Sequence, residues 1–249
     1  MADNWQTTFL MILLIMLFSK IRFLIKSKTP LSIILLFLIT KLKNILVKRE
    51  ISKQKKLNQS NIKNFQISVD WFSSQSYFFK YFMMKLFKDF KYLEIGSFEG
   101  NSAIFVSSNF PESKITCVDP WVNYEENKNV DLPNIEKIFD KNTQNFKNIK
   151  KIKKTSENFF ITNKEIFNFI YIDGHHKYEY VLKDCLSSWE ILSPGGFLVC
   201  DDYIWEYYKK DIKLNPCFAI NEFLRIRNKE AKVLLVSNSQ IFIKKLIIN

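Results

Sequence analysis

From Lys91 to the end of the chain, short apolar runs alternate with stretches of helical spacing, and this alternation most constrains the fold. KYLEIGS (91–97), KITCVDPW (114–121), IKKIKKTS (149–156), FNFIYID (167–173) and GFLVCDD (196–202) read as strands. Helical stretches lie between them at 100–110, 133–148 and 178–193, with a short piece after 156 and another helix at 217–229. VLLVSN and IFIKKL then follow with no helix-length gap, so they read as an antiparallel hairpin. The pattern predicts an α/β fold, a doubly wound and mostly parallel seven-stranded sheet with helices on both faces and the hairpin at its end. In such sheets ligands bind outside the carboxyl ends of the strands.

The first sixty residues have a different character. TTFLMILLIMLF (7–18) and LSIILLFLIT (31–40) are apolar, yet each is shorter than the roughly 20 residues that span a bilayer. Residues 1–60 hold eleven Lys/Arg against Asp3 and Glu50, a net of +9 out of the chain's +12. Residues 1–47 are therefore expected to be a hydrophobic, basic, helical extension that associates with a membrane surface or bilayer. It would act as a short signal anchor over 9–25 with snorkelling cations, or as a hairpin lying in the interface. A soluble extension packed on the domain is the plainer alternative. Basic flanks after each run favour the cytoplasmic side for everything downstream. KREISKQKKLNQSNIKN (48–64) is polar with little periodicity and reads as a linker, which leaves 65–249 as the folded domain. Only four of the 37 cationic residues are arginine, so no nucleic-acid partner is expected. The four cysteines form no C-x-x-C pair and read as small buried hydrophobes.

The polar residues that interrupt this pattern fall at strand ends. EIGSFEG places Glu94 at the end of a strand, Gly96 in the turn and Gly100 at a helix start. The G-x-x-x-G spacing is not that of a pyrophosphate loop, and a carboxylate before the turn suits a cationic ligand. Asp119 ends the next strand, where a carboxylate can take both hydroxyls of a ribose; before Pro120 it could equally initiate a turn. Asp173 ends a later strand, and Asp201 and Asp202 end the one after it, a crossover away. Three clustered carboxylates repel one another unless a cation sits between them, and oxygen ligands suit Mg²⁺ or Mn²⁺. The chain's two histidines, His175 and His176, follow Asp173 directly.

EIGSFEGNS, VDPW, YIDGHHKYEYVLKD and LSPGGFLVCDDY, in this order and spacing, resemble the class I S-adenosylmethionine-dependent methyltransferases. The nearer likeness is to the metal-dependent O-methyltransferase branch of catechol-type and macrolide-sugar-type enzymes. The resemblance covers roughly residues 65–245. It implies a Rossmann-like methyltransferase domain that uses S-adenosylmethionine and, in this branch, Mg²⁺ or Mn²⁺. It further implies that Glu94, Gly96, Ser97 and Gly100 hold the methionine part of the cofactor, that Asp119 binds ribose, and that Ser156 and Glu157 flank adenine. Asp173, Asp201 and Asp202 match the metal ligands, and His176 matches the general base. The acceptor would be a hydroxylated small molecule such as a sugar. His175 is expected to be structural, and Trp121, Tyr178, Tyr203 and Trp205 are candidates for the pocket wall. The competing functions are a metal-independent N- or carboxyl-methyltransferase and a non-catalytic, membrane-tethered scaffold.

Overall fold

A computed structural model describes residues 2–124, 128–237 and 239–247. Its sheet is built from β1 (Lys91–Ile95), β2 (Lys114–Asp119), β3 (Ile149–Lys153), β4 (Phe167–Ile172), β5 (Leu192–Cys200), β6 (Ala231–Val236) and β7 (Ile241–Lys245). The order is β3-β2-β1-β4-β5-β7-β6, parallel from β3 to β5 and antiparallel where β7 joins β5 and β6. The order of connection reverses between the parallel neighbours β1 and β4, which places a crevice at their carboxyl ends.

Residues alternate between two cores, as the pleat requires. Tyr92, Phe169, Tyr171, Val199 and Phe242 face one side, against α4 (Ser76–Met83), α5 (Asn101–Asn109) and α6 (Leu132–Thr143). Leu93, Ile95, Ile170, Ile172 and Leu198 face the other, against α8 (Tyr178–Glu190) and α9 (Pro216–Ile226). Strand β5 begins at Leu192, earlier than the PGG sequence suggests. Pro194 and Gly195 (φ +80°) fall where the pairing with β4 shifts register, and a bulge tolerates both residues.

The N-terminal extension is helical: α1 (Ala2–Lys26) and α2 (Leu31–Leu46) form a hairpin around Lys28 (φ 54°) and Pro30. Phe23, Leu24, Ile33, Ile34 and Phe37 are buried in the same core as α8 and α9, and α2 packs on β6. Asn221 Nδ2 of α9 donates to Ser27 O and Thr29 Oγ1, which ties the hairpin turn to the domain. No helix among the described residues is long and apolar enough to cross a membrane. The stretch 48–64, expected to be a linker, is instead α3 (Lys48–Asn61) followed by a 3₁₀ turn at Ile62–Asn64. Its cohesion comes from a narrow seam: Ile51 packs on the core, while Asn58 and Ile62 are buried. So sparse a seam gives almost no periodic signal in a lysine-rich sequence. All four cysteines are buried and free.

Candidate active site

The turn after β1 explains its glycines. Gly96 (φ +88°) and Gly100 (φ +85°) take left-handed backbone conformations, and a Cβ on Gly96 would lie 2.0 Å from the carbonyl oxygen of Asp173. Only hydrogen fits there, so the loop after β1 touches the loop after β4 through Gly96. Behind the turn, Glu94 is fully buried, and its Oε2 accepts hydrogen bonds from Tyr92 Oη and Ser102 Oγ. Burial pushes its carboxyl up to about 7. Glu94 Oε1 and Ser97 Oγ are buried and make no hydrogen bond of good geometry, although Ser97 stands close enough to Glu94 to draw its pKa down, so both atoms keep capacity for a ligand.

Asp119 is more committed than a bare ribose acceptor. Its Oδ2 accepts from Ser97 N (2.9 Å) and Phe98 N (3.1 Å), and its Oδ1 from Trp121 N (2.7 Å). Burial raises its carboxyl pKa against the pull of these bonds. Three of its roughly four acceptor positions are used, so it fixes the glycine turn and keeps one position for a ligand. Ser156 and Glu157 open α7 (Ser156–Thr162) after β3. Ser156 bonds to Asp184, whereas Glu157 is largely exposed and pairs with Lys183 at 3.9 Å.

The acids after β4 and β5 converge. Ligand atoms of Asp173, His176 and Asp202 all lie within 4.8 Å of one another, with His176 Nε2 3.1 Å from Asp202 Oδ2. Asp201 lies beside this set. Its Oδ2 accepts from Gln240 Nε2 (2.7 Å) and from the Tyr171 hydroxyl, and its Oδ1 from Asp202 N (2.8 Å). Of the three aspartates expected to bind metal, Asp173 and Asp202 form the compact set with His176, and Asp201 adjoins Asp173 through the Tyr171 hydroxyl that both carboxylates share. Asp202 is in the left-handed region (φ 55°), which aspartate adopts more readily than most residues, and this turns it from its neighbour Asp201. Asp173 keeps part of its surface open, yet burial and then the charges of Asp201 and Asp202 push its carboxyl well above the usual range. A divalent cation would relieve that repulsion, and the donor set of carboxylate oxygens and one imidazole is compatible with Mg²⁺ or Mn²⁺.

The neighbouring aromatics separate into wall and core. His175 is sandwiched between Tyr124 and Tyr180 at 4.3 and 4.1 Å, and its Nδ1 accepts from Lys177 N. Trp205 meets His176 edge-on at 5.0 Å and continues to Tyr207. Trp121 and Tyr203 are buried and Tyr178 packs against the core, so of the four pocket candidates Trp205 stands beside the cluster. Three residues of the site escape a sequence reading. Tyr171 bridges Asp173 and Asp201, and Gln240 clamps Asp201 from the hairpin turn. Asp184 is buried, its carboxyl pushed up to about 7 by burial, and a Cβ on Gly174 would lie 3.9 Å from it. For Tyr171 the signal is its two-residue offset from Asp173 on β4; for Gln240 and Asp184 there is none.

A family model described as a methyltransferase domain matches residues 93–203. An uncharacterized protein of Acanthamoeba polyphaga mimivirus is 28% identical over 117 residues, 46% of this chain; the match spans about half (52%) of that relative's length. Among solved structures, a Staphylococcus aureus protein provisionally assigned as a caffeoyl-CoA O-methyltransferase superposes with a TM-score of 0.54 at 14% identity, over 84% of this chain and 99% of its own. The MycE methyltransferase of mycinamycin biosynthesis, solved with Mg, SAH and mycinamycin VI, gives 0.54 at 15% identity, over 79% of this chain and 54% of its own. A Corynebacterium glutamicum protein gives 0.57 at 11% identity, over 84% and 99%. These likenesses establish the shared fold. The family match runs from β1 to the loop after β5, and so contains every acid of the cluster and of the glycine turn. Residues 93–203 accordingly match a methyltransferase domain, and the solved structures share the fold in which those residues sit.

Proposed function

We propose that the chain is an O-methyltransferase that transfers the methyl group of S-adenosylmethionine to a hydroxylated small molecule, a sugar being the leading candidate, with help from Mg²⁺ or Mn²⁺. One observation supports the reading: the glycine turn that would seat the methyl donor abuts, at Gly96, the loop after β4 that carries Asp173 and His176, and Asp202 joins them from the loop after β5. Donor and acid cluster are thereby adjacent, as an in-line displacement requires.

On this reading Glu94 Oε1 and Ser97 Oγ receive the amino-acid end of the donor, and Asp119 holds the turn and meets a ribose hydroxyl. Asp173 and Asp202 would hold the ion, which when bound lowers the pKa of an acceptor hydroxyl. His176 takes the proton. Its Nε2 stands 3.1 Å from Asp202 Oδ2, which orients the ring beside the cluster. The acceptor oxygen gains the methyl carbon as the carbon–sulfur bond breaks, and that electron pair stays on sulfur. Trp205 offers an apolar wall beside the base. A second reading is favoured by the compactness of the cluster: His176 is itself a third ligand and an outside base takes the proton.

The test is methyl transfer from S-adenosylmethionine to a panel of hydroxylated acceptors, with and without EDTA. Activity that stops on chelation and returns with Mg²⁺ or Mn²⁺ is expected; full activity in EDTA removes the metal, and exclusive methylation of amines or carboxylates replaces the O-methyl reading.

A further inference from the structure

We infer that the outer face of the α1–α2 hairpin, together with the basic face of α3, is a docking surface for an anionic lipid bilayer. The inner face of α2 places Ile33, Ile34, Phe37 and Thr40 in the core. At about 100° per residue, Leu31, Leu35, Ile39, Leu42 and Leu46 fall within an arc of about 80° on the opposite side. All five are exposed, Leu42 at 66% and Leu46 at 84%. A helix packed on a soluble domain carries polar residues on that face, and a contiguous apolar stripe marks an interaction site. In α1, Phe23 and Leu24 are buried, whereas Met11, Ile12, Ile15 and Phe18 stand exposed.

Charge selects the partner. Beyond α2, helix α3 presents an open surface formed by Lys48, Arg49, Ser52, Lys53, Lys56 and Leu57. The cations recur at helical spacing on a single face. Glu50 is the only acid between Asp3 and Asp70. A second copy of the chain would bring the same positive charge against this surface. A nucleic acid would use the cations and leave the leucine stripe in water. Anionic headgroups over an acyl layer satisfy both halves, the stripe entering the interface and the lysines meeting phosphate. Phe23, Leu24, Ile33, Ile34 and Phe37 anchor the hairpin in the domain core, so on this reading it lies along the membrane surface.

The full-length protein is floated with vesicles of phosphatidylcholine alone or with about 30 mol % phosphatidylglycerol. Binding to the anionic vesicles about tenfold or more above the neutral ones, weakening as salt rises, is expected. Leu35→Glu/Leu42→Glu should release the protein from both, and Lys53→Glu/Lys56→Glu should erase the anionic preference. Both variants should keep the parent's melting temperature and its affinity for S-adenosylhomocysteine. The lysine variant changes only exposed side chains, so it decides the matter even if the stripe variant misfolds. Equal recovery from the two vesicle types overturns the inference. So does flotation of a folded stripe variant, a dimer in sedimentation that the stripe variant abolishes, or binding to RNA or DNA without flotation.

Discussion

After β1 and β2, Glu94 and Asp119 are held by hydroxyls and backbone amides. After β4 and β5, Asp173, Asp201 and Asp202 crowd together, and burial and mutual repulsion raise the carboxyls of Asp173 and Asp201. The two stretches share one sheet edge and almost the same acid content. The first is a preorganised cradle, rigid before any ligand arrives, and suits a neutral or cationic organic group. The second holds carboxylates that repel one another, a repulsion a divalent cation would relieve. Asp201 shows how the second is confined: Tyr171 and Gln240 hold its carboxylate, and Asp202 stands beside His176.

Breaking the seam between the two stretches should have the largest effect. Gly96→Ala adds a Cβ 2.0 Å from a backbone oxygen and forces a strained φ, at a cost of about 4 kcal/mol or more. Calorimetry should then show S-adenosylhomocysteine and Mn²⁺ binding lost together. His176→Ala is expected to lower kcat by about 10²–10⁴-fold, with donor affinity retained. Unchanged Mn²⁺ affinity in that variant identifies His176 as the base, and a parallel loss of Mn²⁺ affinity identifies it as a ligand. Glu94→Gln sharpens the contrast from the other side, weakening S-adenosylhomocysteine by roughly tenfold while leaving Mn²⁺ binding as it was.

The smallest effect concerns pH. Glu94 and Asp184 each have a folded carboxyl raised to about 7, above the unfolded values of 4.5 and 3.8. Between about pH 4 and 7 the unfolded chain gives up protons that the folded one keeps, so stability falls as pH rises through this window. The ligand-free protein should melt roughly 5–10 °C lower at pH 8 than at pH 5. Asp184→Asn should flatten the profile in differential scanning fluorimetry; an unchanged slope would show that Asp184 is not protonated in the folded state.

The sheet, its crevice and the acids at the strand ends are legible in the sequence because strand ends and glycine turns leave local marks. Asp201 and Asp202 are indistinguishable there, since the difference lies in one left-handed backbone angle and in a glutamine 39 residues away. Asp184 looks like one more polar residue of an amphipathic helix, although it is buried beside Gly174. Helix α3 was hidden by its composition. The apolar N-terminal runs are plain in the sequence, but the half that enters the domain core and the half that faces outward are separated only by packing.

The contrast between cradle and cluster is tested most directly by paired calorimetric titrations of the wild type and Asp202→Asn with S-adenosylhomocysteine and with Mn²⁺. The wild type should bind both, and the variant should bind S-adenosylhomocysteine unchanged while Mn²⁺ affinity drops by about 100-fold. A wild type that ignores Mn²⁺, or a folded variant that keeps Mn²⁺ and loses S-adenosylhomocysteine, would contradict the assignment.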